Sequence, residues 1–223
     1  MEIAIGSAGA SASGDYNQYG GSGDSTKRSL FVFGSFSEGM VHFKKIESFV
    51  VRQRPATVTG GVYRFPSGRL VFSNEGTQTI SGWVVEIKSA DILLALLDEF
   101  HGIHRADPEK ALHQRLEIQT FVDDGDITLA QAYCINLNKM PRGTVLVEGG
   151  DWEKSLQEKP PLFSQLTERQ RAYIQRLGAS CGREIVPIDL GLYRELMHLE
   201  IVVDKGRRLA LTSLGQELYR MLV

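Results

Sequence analysis

The chain has 223 residues, of which 42 % are hydrophobic and 23 % are charged, which is typical of globular proteins. Its formal net charge of -2 excludes a strong overall attraction to nucleic acid or to an anionic membrane surface. The apolar runs are too short to span a bilayer, no secretion signal is recognisable, and the two cysteines lie in different segments. We therefore expect a cytoplasmic protein without a disulfide framework, a four-ligand metal site or a membrane partner.

Residues 1–28 are predicted to form a flexible tail. Six glycines, five serines and four alanines lie within residues 1–26. Such a composition buries too little apolar surface to offset the entropy lost on ordering. The glycines match neither a Walker loop nor a Rossmann loop, so the tail gives no phosphate-binding signal.

Short β-prone runs separated by glycine and proline follow the tail. The predicted strands cover residues 30–33, 46–52, 56–65, 70–72 and 79–87. Gly60 and Gly61 predict a bulge or a sharp bend. After the first strand, Gly34 has no Cβ, so the turn that it begins allows a ligand to approach the backbone closely.

The clearest helix of the first domain is predicted to start after Ser89, a plausible N-cap, and to stop at Gly102. Its apolar residues repeat with helical spacing. They are Ile92, Leu93, Leu96, Leu97 and Phe100.

Two further strands, residues 116–122 and 128–136, are predicted to form a hairpin around the turn at 123–126. Many strands with one main helix indicate an α+β domain over residues 29–140, whose sheet closes into a small barrel.

Five segments between residues 30 and 137 carry glycine, charged and aromatic residues at characteristic spacings. They are residues 31–36 (FVFGSF), 80–87 (ISGWVVEI), 97–102 (LDEFHG), 113–118 (HQRLEI) and 132–133 (AY). In order and spacing they are similar to the motifs Y-G-S/T-L, V-x-G-x-hydrophobic, L-D-x-x-E-G, Y-x-R-x-x-V and A-x-Y. The segment therefore resembles the γ-glutamylcyclotransferase-like (AIG2-like) family.

The resemblance implies a small mixed β-barrel with a cavity and no cofactor. In that family the α-amine of a γ-glutamyl substrate attacks its own γ-carbonyl, which releases 5-oxoproline and an amine or amino acid. The first turn holds the γ-glutamyl group through backbone N–H groups, and the glutamate of L-D-x-x-E-G moves protons. The resemblance thus assigns ligand binding to Gly34, Ser35, Phe36 and Tyr133.

The chain departs from these motifs at two positions. His101 stands where the family has its acid/base glutamate, and His113 replaces the tyrosine of Y-x-R. Histidine is a general base near neutral pH, but its shape and charge differ from those of a carboxylate. A protonated imidazole would also repel the substrate's ammonium group. Glu99 lies about 200° around the helix from His101 and should point elsewhere.

Two clusters contain residue types that can bind a metal ion. His101, His104 and His113 lie close in sequence, but the stop at Gly102 separates the first two, so surface or loop histidines are the simpler interpretation. The aspartates of the turn at 123–126 lack the full calcium-loop pattern and indicate a hairpin. No metal is predicted.

Residues 141–162 are predicted to form a linker that contains Trp152, which we expect to pack on the first domain. Residues 163–223 are predicted to form a separate helical domain. Its elements are a helix at 168–177 with a capping box, a helix at 187–199, a strand–turn–strand at 201–211 and a last helix to residue 222. This order, with the L-x-L-T-x-x-G segment at 209–215, resembles a reduced winged-helix domain.

Three hypotheses follow. The first is an interaction or scaffold protein that binds a protein partner or itself, on a barrel that has lost the family glutamate. The second is an active cyclotransferase on γ-glutamyl compounds, with His101 as the proton carrier. The third is a DNA-binding regulator with a ligand-sensing barrel, in which Lys205, Arg207 and Arg208 meet phosphates. We take the first as the working hypothesis, since the two departures from the family motifs count against cyclotransfer and no separate recognition helix supports DNA binding.

Overall fold

The computed structural model describes residues 28–103, 111–123, 125–180 and 184–223. The predicted tail up to residue 27, His104, Asp124 and Cys181 therefore lie outside the described residues. Within the described ranges, no helix is both long and apolar enough to cross a membrane.

Six strands build the first part of the chain, as predicted for an α+β barrel. They are β1 (Arg28–Val32), β2 (Val50–Arg64), β3 (Leu70–Ile87), β4 (His113–Val122), β5 (Ile127–Ile135) and β6 (Val145–Leu146). The first five close on themselves in the order β1-β3-β2-β4-β5, and β1 returns to β5. The β1–β5 and β3–β5 pairs are parallel and the others antiparallel, which gives the mixed barrel. β6 extends β2.

The strand β3 is longer than predicted. The sequence predicted separate strands at 70–72 and 79–87, whereas β3 runs through both and pairs with β2 along most of its length. Its register shifts at Gly60 and Gly61, as expected for a bulge: Gly60 faces Gln78 while Gly61 faces Ser73. The polar residues between those partners are mostly exposed, so they lack the apolar alternation by which a strand is recognised in sequence.

The strand predicted at 46–52 is wrong in its first half. Residues Phe43–Lys45 and Glu47–Phe49 form 3-10 turns, and β2 begins only at Val50. Ile46, between the turns, is fully buried against the helix that follows β3. This segment is therefore held by the buried side chain of Ile46 and by local backbone hydrogen bonds, and the predicted pairing with a neighbouring strand is not formed there.

That helix, α1 (Ala90–His101), packs on the outside of the barrel and ends at Gly102 in the left-handed conformation, as predicted. Ser89 precedes it without forming a side-chain cap. The predicted apolar face is partly wrong, because Ile92 and Leu96 are exposed. The residues that α1 buries against the barrel are Ala90, Leu93, Leu94 and Leu97.

The segment predicted as a linker is attached to the barrel. Trp152 opens helix α2 (Trp152–Glu158), is buried in the barrel core, and donates its indole N–H to the carbonyl of Ser81 at 2.8 Å. Arg64 of β2 donates to the carbonyl of Ser155 at 2.9 Å and also to the carbonyl of Lys159. These contacts fix the path of the chain towards its C-terminal part.

The C-terminal part has its own apolar core. Its elements are α3 (Leu162–Gln165), α4 (Glu168–Ala179), α5 (Leu190–His198), β7 (Val202–Asp204), β8 (Leu209–Leu211) and α6 (Ser213–Leu222). Thr167 and Gln170 form the predicted capping box of α4. The second helix starts later than predicted, because Asp189 caps it. The winged-helix likeness and the domain boundaries stay predictions.

Candidate functional site

A small cavity lies where β1 ends, between strands of the barrel and the end of α1. Its volume is about 50 Å³. It is lined by apolar residues of β1 and β3 and by a ring of aromatic and polar side chains. That ring includes Phe33, Ser35, Phe36, His101, His113 and Tyr133. Four of the five residues that the sequence singled out as ligand-binding or catalytic therefore border one space.

The fifth, Gly34, forms the turn without lining the cavity. The 3-10 turn Gly34–Phe36 follows β1 directly, and Gly34 adopts a left-handed conformation with φ of 57°. The amides of Phe36 and Ser37 donate to the carbonyls of Phe33 and Gly34, so these two N–H groups are already used inside the turn. The hydroxyl of Ser35 lies 3.0 Å from Nδ1 of His42, a buried residue that sequence reasoning missed.

His101 is packed among aromatic rings. Its ring lies parallel to that of Tyr133, with the centroids 4.2 Å apart. On its other sides are the rings of Phe36 at 5.8 Å, Phe100 at 5.1 Å and His113 at 5.1 Å. The Nδ1 atom of His101 is buried without a hydrogen-bonding partner among the described residues. The imidazole of His101 is therefore part of the cavity wall.

His113, on β4, is only 3 % exposed. Its Nδ1 lies 3.2 Å from the carbonyl oxygen of His101, so the Nδ1–H donates and Nε2 carries the lone pair of the neutral ring. No described residue offers a donor to that Nε2. The Nε2 atom of His113 is therefore a buried acceptor that can take a hydrogen bond from a ligand or a water molecule.

Asp98, Tyr133 and Arg115 join α1 to the barrel beside the cavity. The hydroxyl of Tyr133 donates to the carboxylate of Asp98 at 2.9 Å, and Arg115 forms an ion pair with the same carboxylate at 3.3 Å. Burial raises the pKa of Tyr133, and the hydrogen bond to Asp98 raises it further. Tyr133 therefore stays protonated and holds its ring against His101.

The three buried imidazoles are poor proton acceptors. Burial lowers the pKa of His42 to about 4 and that of His113 to about 3, and the positive charge of Arg69 adds to both effects. Burial also holds the pKa of His101 well below its usual value, with further contributions from His113 and Arg69. A general base works best when its pKa lies near the operating pH, so these rings suit hydrogen bonding better than proton transfer.

Several other sequence candidates lie away from the cavity. Glu99 is exposed on α1 and does not line it, as expected from the helical geometry. Lys205, Arg207 and Arg208 are exposed around the β7–β8 turn. No group of three or more histidines, cysteines, aspartates or glutamates is arranged to hold a metal in the part of the chain that the structure describes.

Sequence reasoning did not find Arg69 and His42, which reach the site from the start of β3 and from the loop after the turn. Asp98 and Arg115 lie within the segments 97–102 and 113–118 that resemble family motifs, but the sequence did not predict that they form an ion pair.

Cys134, free and buried in the barrel core, has its thiol pKa raised to about 12 by burial, which makes it unreactive.

Solved structures of similar shape come from several organisms. The chain is 19 % identical to YkqA of Bacillus subtilis, with a TM-score of 0.44, covering 60 % of this chain and 44 % of that protein. It therefore spans less than half the length of that relative. A protein of Arabidopsis thaliana is 17 % identical over 61 % of this chain and 87 % of its own, with a TM-score of 0.44. An AIG2-like protein of Mus musculus is 17 % identical over 52 % and 84 %, with a TM-score of 0.34.

No curated protein matches this sequence significantly. The family model described as "Gamma-glutamyl cyclotransferase, AIG2-like" matches residues 30–154, which is more than half of the chain and includes every strand of the barrel except the first two residues of β1. The chain belongs to the AIG2-like gamma-glutamyl cyclotransferase family.

Proposed function

We propose that this chain is an interaction or scaffold protein, whose barrel has lost cyclotransferase activity. The observation that carries the proposal is the packing of His101. The ring that replaces the family glutamate is stacked at 4.2 Å on Tyr133 and touches Phe36 and Phe100. A side chain held in this way forms a wall of the barrel, whereas a proton carrier needs access to the reacting group.

The size of the cavity supports the same proposal. Its volume of about 50 Å³ lies well below the roughly 300–1,000 Å³ of typical small-ligand pockets. A γ-glutamyl group brings an amine, a carboxylate and an acyl carbonyl, and it must fold its amine onto that carbonyl. Such a ligand enters only if the aromatic wall rearranges, which close-packed interiors resist.

The electrostatics point in the same direction. Cyclisation requires a group that takes a proton from the substrate ammonium near neutral pH. The pKa values of His101 and His113 are held low by burial, so neither imidazole is poised to take it. The amides of Phe36 and Ser37, which lie in the turn that binds the γ-glutamyl group in the family, are used within the turn.

Turnover of γ-glutamyl compounds tests the proposal. The full chain is incubated with γ-glutamyl amines and γ-glutamyl amino acids, and 5-oxoproline release is measured beside an active family member. We expect no release above the buffer blank at neutral pH. Release by this chain, whether or not His101→Ala removes it, would overturn the proposal.

Cyclotransfer is the second candidate, and one observation favours it. Ser35 and Phe36 of the turn and the imidazole of His101 border the same cavity, as a working site requires. In that case His101→Ala abolishes 5-oxoproline release, while His198→Ala, at an exposed histidine of α5, leaves it unchanged. The same assay therefore separates the two candidates.

Binding to DNA is supported only by the exposed cations of the β7–β8 hairpin. A regulator of this type gives a gel shift with duplex DNA that weakens as salt rises. The shift should disappear when Lys205, Arg207 and Arg208 are all changed to alanine. Absence of any shift at low salt would remove this candidate.

A further inference from the structure

Three cavities meet at Arg69. The first is the barrel cavity described above. The second, the antechamber, has a volume of about 210 Å³ and lies between the end of α1 and the end of α6. The third, the crevice, has a volume of about 770 Å³ and lies between the barrel and the C-terminal helices. Arg69 lines all three, and Arg220 of α6 lines the antechamber and the crevice.

The described walls of the antechamber are positively charged. Their charge comes from the guanidinium groups of Arg69 and Arg220, since the pKa values of the imidazoles of His101 and His113, which also line these walls, are held low; the described walls carry no carboxylate. Among the described residues, neither arginine has a carboxylate within ion-pairing distance. Glu217 is the acidic residue that interacts electrostatically with both, but it is buried and accepts a hydrogen bond from Ser67 at 2.6 Å. One buried carboxyl thus faces two guanidinium groups.

The buried imidazoles give an independent sign of a missing ligand. His113 lines both the barrel cavity and the antechamber, and its Nε2 has no partner although the residue is almost fully buried. Buried polar atoms without partners are rare in native structures and often mark a bound water or ligand. The positive charges of Arg69 and Arg220 contribute to lowering the pKa of His113, as expected where the local potential favours an anion.

The remaining antechamber wall is apolar. Phe100, Leu112 and Met221 supply an aromatic ring, a branched side chain and a thioether, and the guanidinium of Arg69 lies over the Phe100 ring at 6.0 Å from its centroid. Small-ligand sites usually combine such an apolar lining with a few converging polar groups. An inorganic anion would leave this part of the wall unused.

We propose that the antechamber binds a small organic carboxylate between Arg69 of the barrel and Arg220 of helix α6. The carboxylate lies against the two guanidinium groups, and its apolar body lies against Phe100 and Met221. Arg220 is outside residues 30–154, so this site is built jointly by the family barrel and the C-terminal part of this chain. It goes beyond the proposed function, which concerns the loss of catalysis inside the barrel.

Such a ligand would hold the two parts of the chain together. Charge-assisted hydrogen bonds to guanidinium groups are among the stronger polar contacts in proteins. A ligand that binds only when α6 lies on the barrel stabilises that arrangement by mass action. We therefore expect ligand binding to raise the thermal midpoint of the C-terminal part.

Benzoate, its neutral isostere benzamide and inorganic phosphate test the proposal on the full chain at constant ionic strength. Binding is followed by the NMR shift of the His113 ring and by calorimetry. We expect saturable binding of benzoate and at least about tenfold weaker binding of benzamide, a ratio that corresponds to about 1.4 kcal/mol. Phosphate should bind more weakly than benzoate, because it does not use the apolar wall.

Arg220→Gln should weaken benzoate binding about tenfold, since it removes one of two charge-assisted contacts. Arg207→Gln is the matched control, because Arg207 is an exposed arginine of the β7–β8 turn, and it should leave binding unchanged. Arg69→Lys, which keeps the charge but not the fork geometry, gives an intermediate loss and serves if Arg220→Gln fails to fold. Benzamide binding as tight as benzoate, or unchanged benzoate affinity in Arg220→Gln, would overturn the proposal.

Discussion

The ring of His101 lies almost parallel to the ring of Tyr133, with an angle of 11° between the two planes. Asp98, one helical turn before His101 on α1, accepts the hydrogen bond of the Tyr133 hydroxyl. The same tyrosine is therefore held by its face and by its hydroxyl, and both contacts come from α1. This double contact fixes the end of α1 against β5 beside the cavity.

Replacing Tyr133 with phenylalanine keeps the stacking on His101 and removes the hydrogen bond to Asp98. Asp98 is largely buried and would retain Arg115 as its partner. We expect a loss of about 1–2 kcal/mol in the free energy of unfolding, measured by urea denaturation. Tyr63→Phe is the control, because the Tyr63 hydroxyl has no hydrogen-bonding partner among the described residues, and it should change stability by much less. Equal effects of the two substitutions would show that the Asp98 contact contributes nothing.

The buried imidazoles predict a steep loss of stability in acid. The folded-state pKa values of His42 and His113, about 4 and about 3, lie below the unfolded value near 6.5, and that of His101 is also well below it. The unfolded chain therefore binds more protons as the pH falls from about 6.5 towards about 4, so stability is present above that window and is lost within it. Each imidazole contributes a slope of about 1.4 kcal/mol per pH unit there.

Urea denaturation between pH 7 and pH 4 measures this slope. His113→Gln should reduce the slope by about 1.4 kcal/mol per pH unit, because one of three depressed imidazoles is removed. His198→Gln, at an exposed histidine, should leave it unchanged. Carboxylates also titrate in this range, but they are common to all three proteins and cancel in the comparison. The prediction fails if the His113 and His198 variants have the same slope.

The sequence predicted those parts of the candidate site that depend on residues close together in the chain. The turn at Gly34 follows a continuous apolar run, and α1 ends at Gly102 because only glycine adopts the left-handed conformation without strain. Motif spacing then indicated that the turn and His101 face one cavity, and both do. These features depend on residues close together in the chain.

The rest depends on contacts between distant segments. Arg69 and Arg220 both line the antechamber because α6 packs near the end of α1. No local sequence pattern predicts a functional role for either residue. The face of α1 that is buried was mispredicted at Ile92 and Leu96 because the helix is apolar on several sides, and the barrel decides which side it covers. The sequence predicted two strands in place of β3 because the exposed polar residues in its middle have the composition of a loop.

Gly82 controls the spacing between β1 and β3 beside the turn. A Cβ at this position would lie 2.6 Å from the carbonyl oxygen of Val32 and 2.6 Å from the ring of Phe31. Gly82→Ala must therefore push the two strands apart, at a cost of about 3 kcal/mol in unfolding free energy. Gly191→Ala in α5 is the control, since its Cβ would meet only the Asp189 carboxylate at 3.2 Å, and it should change stability little. A neutral Gly82→Ala in urea denaturation would contradict the tight strand spacing.

Ser67 connects the barrel to α6. Its hydroxyl is fully buried and donates to the carboxyl of Glu217 at 2.6 Å. Ser67→Ala leaves that buried carboxyl without this donor, and we expect a loss of about 1–3 kcal/mol. Hydrogen exchange should show faster opening of the amides of α6, with little change in β4 and β5. Ser164→Ala, at an exposed serine, serves as the control. Uniformly faster exchange across the whole chain would argue against a local role in docking α6.

The outer face of the β4–β5 hairpin is the surface from which we predict self-association. Phe121 and Ile127 are direct cross-strand partners, and Leu129 faces Gln119 on the same side; the three side chains are 43 %, 62 % and 56 % exposed. If two copies meet through this patch across a two-fold axis, both apolar surfaces leave water, which is the reason for the prediction.

Sedimentation equilibrium should detect a dimer of the full chain whose dissociation constant rises at least about tenfold in Ile127→Lys, because burying an unpaired ammonium opposes the contact. Ile92→Lys, at an equally exposed isoleucine of α1, places the same charge elsewhere and should leave the constant unchanged. A monomeric wild-type chain at high concentration, or equal weakening by both substitutions, would rule out the hairpin as the contact surface.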